Sequence, residues 1–148
     1  MKRAICGVLG VLGGLLAGCV TVEDTARRDA HVGISAMAMR FADAAQEKGR
    51  STVVVDVLAA VTNSMKDPDS VRFRAVRVVR YGTGAVVCGE VNAKNSYGGY
   101  TGFSPFVGAP SRVIVRRESR DAAVLGINWA IFDVCELGEE IPAAASLR

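Results

Sequence analysis

From Ile34 onward, apolar residues recur at the spacing of a helix. Ile34, Met37, Phe41 and Ala44 share one face before Gly49 supplies a stop. A second helical stripe follows in "VVVDVLAAVTNSM", where Val54, Val57, Leu58, Val61 and Met65 align and Ser51 or Thr52 is placed to cap. "KDPDS" closes it, because Pro68 disfavours helical geometry at Asp67, and Asp69 and Ser70 are turn formers. At Val71 the period drops to two. Val71, Phe73 and Ala75 alternate with Arg72 and Arg74, then the apolar side passes to Val76 and Val78, a slip that predicts a β-bulge near Ala75. Three further runs, "AVVCGEVNA", "YTGFSPFV" and "RVIVRR", are separated by short Gly-rich turns, the pattern of an antiparallel meander.

The last patterned stretch, "LGINWAIFDVC", reads two ways. It alternates like a strand, yet Leu125, Trp129, Phe132 and Cys135 also fall on one helical face. Asp121 as a cap for a helix beginning near Ala122 favours the helix. The expected fold is therefore α+β: two N-terminal helices, a four-stranded antiparallel meander and a C-terminal helix. No internal repeat is visible, and 148 residues suffice for one ordinary core.

The N-terminus changes the picture. Met1-Lys2-Arg3 is a basic start, and the apolar run from Ala4 to Ala17 is too short to span a bilayer and is interrupted by Gly7, Gly10, Gly13 and Gly14. This is the form of a signal peptide. Leu16-Ala17-Gly18-Cys19 resembles the lipobox of bacterial prolipoproteins. The resemblance implies diacylglyceryl transfer to the Cys19 thiol, cleavage before it, and acylation of the freed amine. Two or three acyl chains on one residue hold a protein stably on a membrane, whereas a single chain binds reversibly. Val20 follows the cysteine instead of the aspartate that commonly retains such lipoproteins at the inner membrane, so the resemblance favours the periplasmic face of the outer membrane. The chain then divides into a signal peptide (1–18), a lipidated cysteine and polar tether (19–30), one α+β domain (31–138) and a flexible tail (139–148).

Charge follows from this division. The full chain carries +3, but cleavage removes Lys2 and Arg3 and no acid, leaving 16 basic residues against 15 acidic, a net of +1. The apparent basicity belongs largely to targeting, and a nucleic-acid role loses its best global argument. Of the four cysteines, Cys6 leaves with the signal and Cys19 carries lipid. Cys88 and Cys135 remain as an even pair in an oxidising compartment, where a disulfide is expected and a pair of buried thiols is the alternative. Closing a loop of roughly 48 residues would restrict the unfolded chain by about 4 kcal/mol. Two cysteines without a second pair or a histidine cluster make a poor zinc site, so no metal or cofactor is expected.

"DPDSVRFR", "VCGEVNAKNSYGGYTGF" and the stretch from Trp129 to Cys135 together resemble small bacterial and prophage-encoded envelope proteins, over roughly residues 53–135. The resemblance supports the fold and the disulfide and implies no activity. Within the second motif, Glu90, Asn92, Lys94, Asn95, Tyr97 and Tyr100 concentrate hydrogen-bonding and aromatic groups around a hairpin, suited to a sugar, peptide or protein surface. The structural alternative is that Asn95, Gly98 and Gly99 only supply turn conformations while the tyrosines cover the sheet edge. Alternation places Glu90 and Asn92 on the face of Cys88, beneath the expected helix. That demands either a bulge at Gly89 or a satisfied polar network.

Arg72, Arg74, Arg77 and Arg80, with Arg112, Arg116 and Arg117, form a second candidate, a basic face for lipid phosphates or a solvated surface that blocks aggregation. His31, the only histidine, falls in or just after the tether, and no base is seen oriented toward a nucleophile, so a Ser-His or Cys-His enzyme is not expected. Glu90 with Asp133 is the one carboxylate pair worth naming for a hydrolase, without a spacing signature. The leading expectation is a non-enzymatic, lipid-anchored interaction module, an envelope-assembly accessory or a prophage lipoprotein that masks a receptor. Its partners would be the membrane and an envelope protein or glycan. An inhibitor of a lysozyme-like hydrolase is the alternative, followed by a cell-wall hydrolase.

Overall fold

A computed structural model describes residues 4–5 and 20–142. Cys19, the remainder of the expected signal segment and the last six residues lie outside it; Ala4–Ile5 pairs antiparallel with Val20–Thr21.

Helix α1 (Val22–Lys48) begins far earlier than its apolar stripe predicts. Thr21 accepts a hydrogen bond from the Asp24 N–H, while the Asp24 carboxylate accepts from the Thr21 N–H, a reciprocal capping box. The Thr21 hydroxyl and N–H both donate to the Asp24 carboxylate and hold its carboxyl below the ordinary pKa. The polar stretch expected as a tether is thus helical, and Val20 alone separates Cys19 from the cap. Its composition misleads because one narrow side of this turn packs against another helix, leaving Asp24, Thr25, Arg28 and Asp29 in solvent. Gly49, at φ +84°, ends α1 and starts α2 (Arg50–Ser64) directly, so Ser51 and Thr52 lie inside α2 instead of capping it. Val53, Val57 and Val61 are its buried stripe, and a 3-10 turn at Pro68–Ser70 leads into the sheet.

The strands are β1 (Arg72–Tyr81), β2 (Gly84–Asn92), β3 (Ser104–Ala109), β4 (Arg112–Val115) and β5 (Glu139–Ile141), with α3 (Ala122–Leu137) before the last. All pairings are antiparallel, in the order β4-β3-β2-β1-β5. The expected four-stranded meander is present, and a fifth strand corrects the count. β5 occupies the start of the expected flexible tail, where Ile141 is buried and Glu139 pairs with Arg80. Three residues are too few to display a period in sequence.

The slip in β1 is a bulge. Register shifts between Arg74 and Arg77, and Ala75 takes a left-handed φ of +50°. The bulge keeps Arg74, opposite Glu90, and Arg77, opposite Cys88, on one face.

Both faces of the sheet are covered, and β2 is buried along nearly its whole length. On one side, Gly108 lets Val57 of α2 approach so closely that an added Cβ would stand 2.6 Å from it. On the other side, α1 meets Gly84 and α3 is fixed by the disulfide between Cys88 and Cys135, Cα atoms 5.7 Å apart. Asp121 caps α3 through the N–H groups of Ala123 and Val124, as its position predicts. Helices α1 and α3 pack against each other at Gly126, where a Cβ would lie 2.3 Å from the Glu23 carbonyl oxygen. The helical reading of residues 122–137 therefore holds, with Gly126, Ala130, Ile131, Val134 and Cys135 buried.

Candidate functional site

The β2–β3 connection holds most of the hairpin residues, and its shape is fixed locally. Asn95 accepts from the Tyr97 and Gly99 N–H groups through its side chain and from the Gly98 N–H through its carbonyl, while its own N–H donates to the Gly99 carbonyl. The Lys94 N–H donates to Ser70 Oγ, and the Tyr100 hydroxyl to the Ser70 carbonyl, which ties the loop to the 3-10 turn. The Arg72 guanidinium lies 4.6 Å from the Tyr100 ring centroid, with Lys94 Nζ at 5.8 Å. Asn95, Lys94 and Tyr100 are thereby occupied in bracing. Tyr97 is not: it is 95% exposed at the tip. Beside it lies a shallow pocket of about 240 Å³ bordered by Lys66, Lys94, Asn95, Ser96, Thr101 and Ser104.

Glu90 and Asn92 lie on β2 itself, before the tip. Glu90 forms an ion pair with Arg74, whose guanidinium also lies 4.1 Å from the Phe103 ring. β2 keeps regular register through Gly89, so no bulge redirects Glu90; it escapes burial because it lies past the end of the covered part of the sheet face. Asn92 opposes Arg72, and its Oδ1 is buried without a protein partner. The six candidate residues thus divide into a braced tip and a polar row on β2, linked by Arg72, which opposes Asn92 and lies over the Tyr100 ring.

The arginine face is also divided. Arg77 donates to the Cys135 carbonyl and to Glu136, Arg74 pairs with Glu90, and Arg80 pairs with Glu139. Their positive charges are already matched within the chain, and β1 offers no continuous phosphate-binding stripe.

A cluster unforeseen in sequence joins α1, β1 and α3. Arg27 grips Asp133 with two hydrogen bonds of 2.7 Å. His31 contacts Asp133 through Nε2 at 3.0 Å and the Tyr81 hydroxyl through Nδ1 at 2.6 Å. Burial disfavours the charged form of Asp133, but the hydrogen bonds from Arg27 and His31 outweigh it and hold its carboxyl below the ordinary value. Both ring nitrogens and both carboxylate oxygens are engaged within the set, so it acts as a clamp between the two helices and the sheet. His31 is helical, not part of a tether, and Asp133 and Glu90 have separate basic partners. The i, i+4 spacing of Arg27 and His31 was the only sequence signal, and their partner lies 102 residues from His31.

The outer flank of α3 is the second surface the sequence left unread. The expected face of Leu125, Trp129, Phe132 and Cys135 is split: Cys135 is buried against the sheet, whereas Trp129 is 48% and Phe132 47% exposed. Their rings pack edge to face at 6.0 Å. With Pro105, Asn128 and Ile131 they line a mainly apolar groove of about 440 Å³, with Arg116 and Glu136 among its charged residues.

No protein-family model, curated protein or solved structure matches this chain.

Proposed function

We propose that the chain is a lipid-anchored envelope protein, attached through Cys19 at the periplasmic face of the outer membrane, and that it works as a non-enzymatic recognition module. The observation that carries the recognition reading is the hairpin tip: a tyrosine 95% exposed on a loop whose backbone is fixed by Asn95 and Ser70. The loop backbone is ordered before binding, and a tyrosine has only two side-chain torsions to fix, so binding orders little for the large area it covers, the property of an interface anchor. The adjoining shallow pocket adds Lys66, Ser96 and Thr101 beside the apolar Met65, Val91 and Val115, a mixture suited to a protein or glycan surface. The anchor reading is supported by the charged start, the apolar run and the Leu16–Cys19 motif.

The test pairs two variants in intact cells. Cys19→Ser is expected to abolish lipid labelling and leave the precursor uncut; release of a protein cut after Gly18 would assign an ordinary signal peptidase instead. Tyr97→Ala is expected to lower the yield of crosslinked partners while thermal melting stays at the wild-type value. Wild-type crosslinking yields would make the hairpin purely structural. The same rigid, exposed tip favours a second reading, a plug for the cleft of a lysozyme-like hydrolase, which predicts inhibition by the purified protein and its loss in Tyr97→Ala.

A further inference from the structure

The outer flank of α3 combines three features that the recognition tip lacks. Its aromatic pair is continuous with an apolar groove, it adjoins an arginine-rich loop, and it belongs to the helix packed against the anchored end of α1. Residues 116–121, "RRESRD", are all exposed, and the segment is fixed to α3 by Asn128, which accepts from the Arg117 N–H and donates to the Arg117 carbonyl. Two acids of this region are already engaged, Asp121 in capping α3 and Glu136 with Arg77. Arg116, Arg117 and Arg120 form no ion pair among the described residues, and against Glu118 and Asp121 they leave the loop a net charge of +1.

The start of α1 places these groups near the lipid. Thr21 is the helix cap, so the two residues from Cys19 to the cap reach at most about 7 Å even when extended. Gly126 of α3 packs on Glu23 and Ala26 in the first turns of α1. The domain is therefore held close to the headgroups, with the first turns of α3 beside the attachment point. Val20 and Val22, 41% and 45% exposed, add apolar groups next to the attachment point. Tryptophan favours the membrane–water interface, apolar side chains beside it enter the acyl boundary, and guanidinium forks match lipid phosphates.

We propose that the outer flank of α3, formed by Leu125, Trp129 and Phe132 with Arg116, Arg117 and Arg120, rests on the phospholipid surface to which the N-terminus is tethered. The contact is peripheral: no described helix is long and apolar enough to cross a membrane. It fixes the orientation of the domain, adding a second point of attachment to the acyl chains. This inference rests on the lipid attachment at Cys19 proposed above.

Trp129 is the only tryptophan of the chain, so its fluorescence reports this surface alone. The mature lipidated protein is reconstituted in vesicles of phosphatidylethanolamine and phosphatidylglycerol, with and without acyl-chain-brominated lipid. The expected result is emission at shorter wavelength than in the protein held in an uncharged detergent, quenching by the brominated lipid, and protection from aqueous acrylamide. Arg116→Glu with Arg117→Glu is expected to reduce the lipid quenching while the protein still floats with the vesicles, since the acyl chains remain. Flotation with Trp129 untouched by brominated lipid and open to acrylamide overturns the inference while leaving the anchor intact, and assigns the groove to a protein partner. Absence of acyl mass on Cys19 overturns it by removing the tether, a failure of the anchor reading that mass analysis identifies separately.

Discussion

Large aromatic side chains reach solvent at the tip of the β2–β3 connection and on the outer flank of α3, and the two regions are held in place by different means. At the tip, order is local: Asn95 makes four hydrogen bonds with Tyr97, Gly98 and Gly99, and Ser70 supplies the nearest tie to the rest of the chain. On α3, order is imposed from a distance by the bond to Cys88, the grip of Arg27 on Asp133, and the close approach of α1 at Gly126. A locally braced loop can vary its exposed residue without disturbing the fold. A helix fixed to the sheet on one side and to α1 on another leaves its outer flank free, and there Trp129 and Phe132 remain half exposed without loosening the element that carries them. The tip is thus built to display one side chain, and α3 to display a surface.

The largest expected effect comes from cutting the long-range constraint. Cys135→Ser should lower stability by about 2–5 kcal/mol in denaturant unfolding, the usual range for a small secreted domain losing its disulfide. Hydrogen exchange should quicken most along the C-terminal half of α3, while the amides of Tyr97 and Gly99 change little. Equal acceleration at both places would erase the distinction between local and distant bracing.

Asp133→Asn tests the other flank of α3 and should cost about 1–3 kcal/mol, since it removes a charged acceptor from Arg27 and His31. A carboxyl whose folded pKa lies below its unfolded value stabilises the fold fully above the unfolded value, and loses that contribution as pH falls through the folded one. The melting temperature of the wild-type protein should therefore fall as the medium is acidified through the carboxylate range. Asp133→Asn should show a smaller fall, with the Asp24 capping box supplying part of what remains. An identical acid profile in both proteins would show that the clamp does not hold α3.

The smallest effect belongs to the tip. Asn95→Ala removes acceptors from an exposed loop and should cost about 0.5–1.5 kcal/mol. Its sharper signature is proteolytic cleavage near Tyr97 at unchanged cleavage elsewhere. A large, global loss of stability would mean that the loop supports the core, and would sharpen the comparison in the opposite sense to the one drawn here.

How far the sequence could be read follows the range of the interactions involved. Periodicity located the apolar stripes of α1 and α2, the switch to strands at Val71, the bulge at Ala75 and the Asp121 cap, because each is decided by residues within a few positions of one another. The pairing of Cys88 with Cys135 was legible because only two cysteines remain once the leader and the lipid site are assigned. The opening turns of α1 were read as a tether, since their stabilising neighbour, Gly126, lies about a hundred residues away and a polar outer face hides a single packed side. β5 needed the edge of β1 to exist at all, and the clamp of Arg27, His31, Tyr81 and Asp133 needed three elements brought together.

The flank of α3 shows the division most clearly. Its sequence determined that Leu125, Trp129 and Phe132 share one helical face, as the 3.6-residue period requires. Only the tertiary structure decided that this face looks outward. Gly126 and Ala130 are small enough for α1 to pack close, and the disulfide turns the Cys135 side onto the sheet. Apolar character says that a face gains by leaving water, and the partners that surround a helix decide which of its apolar faces does so.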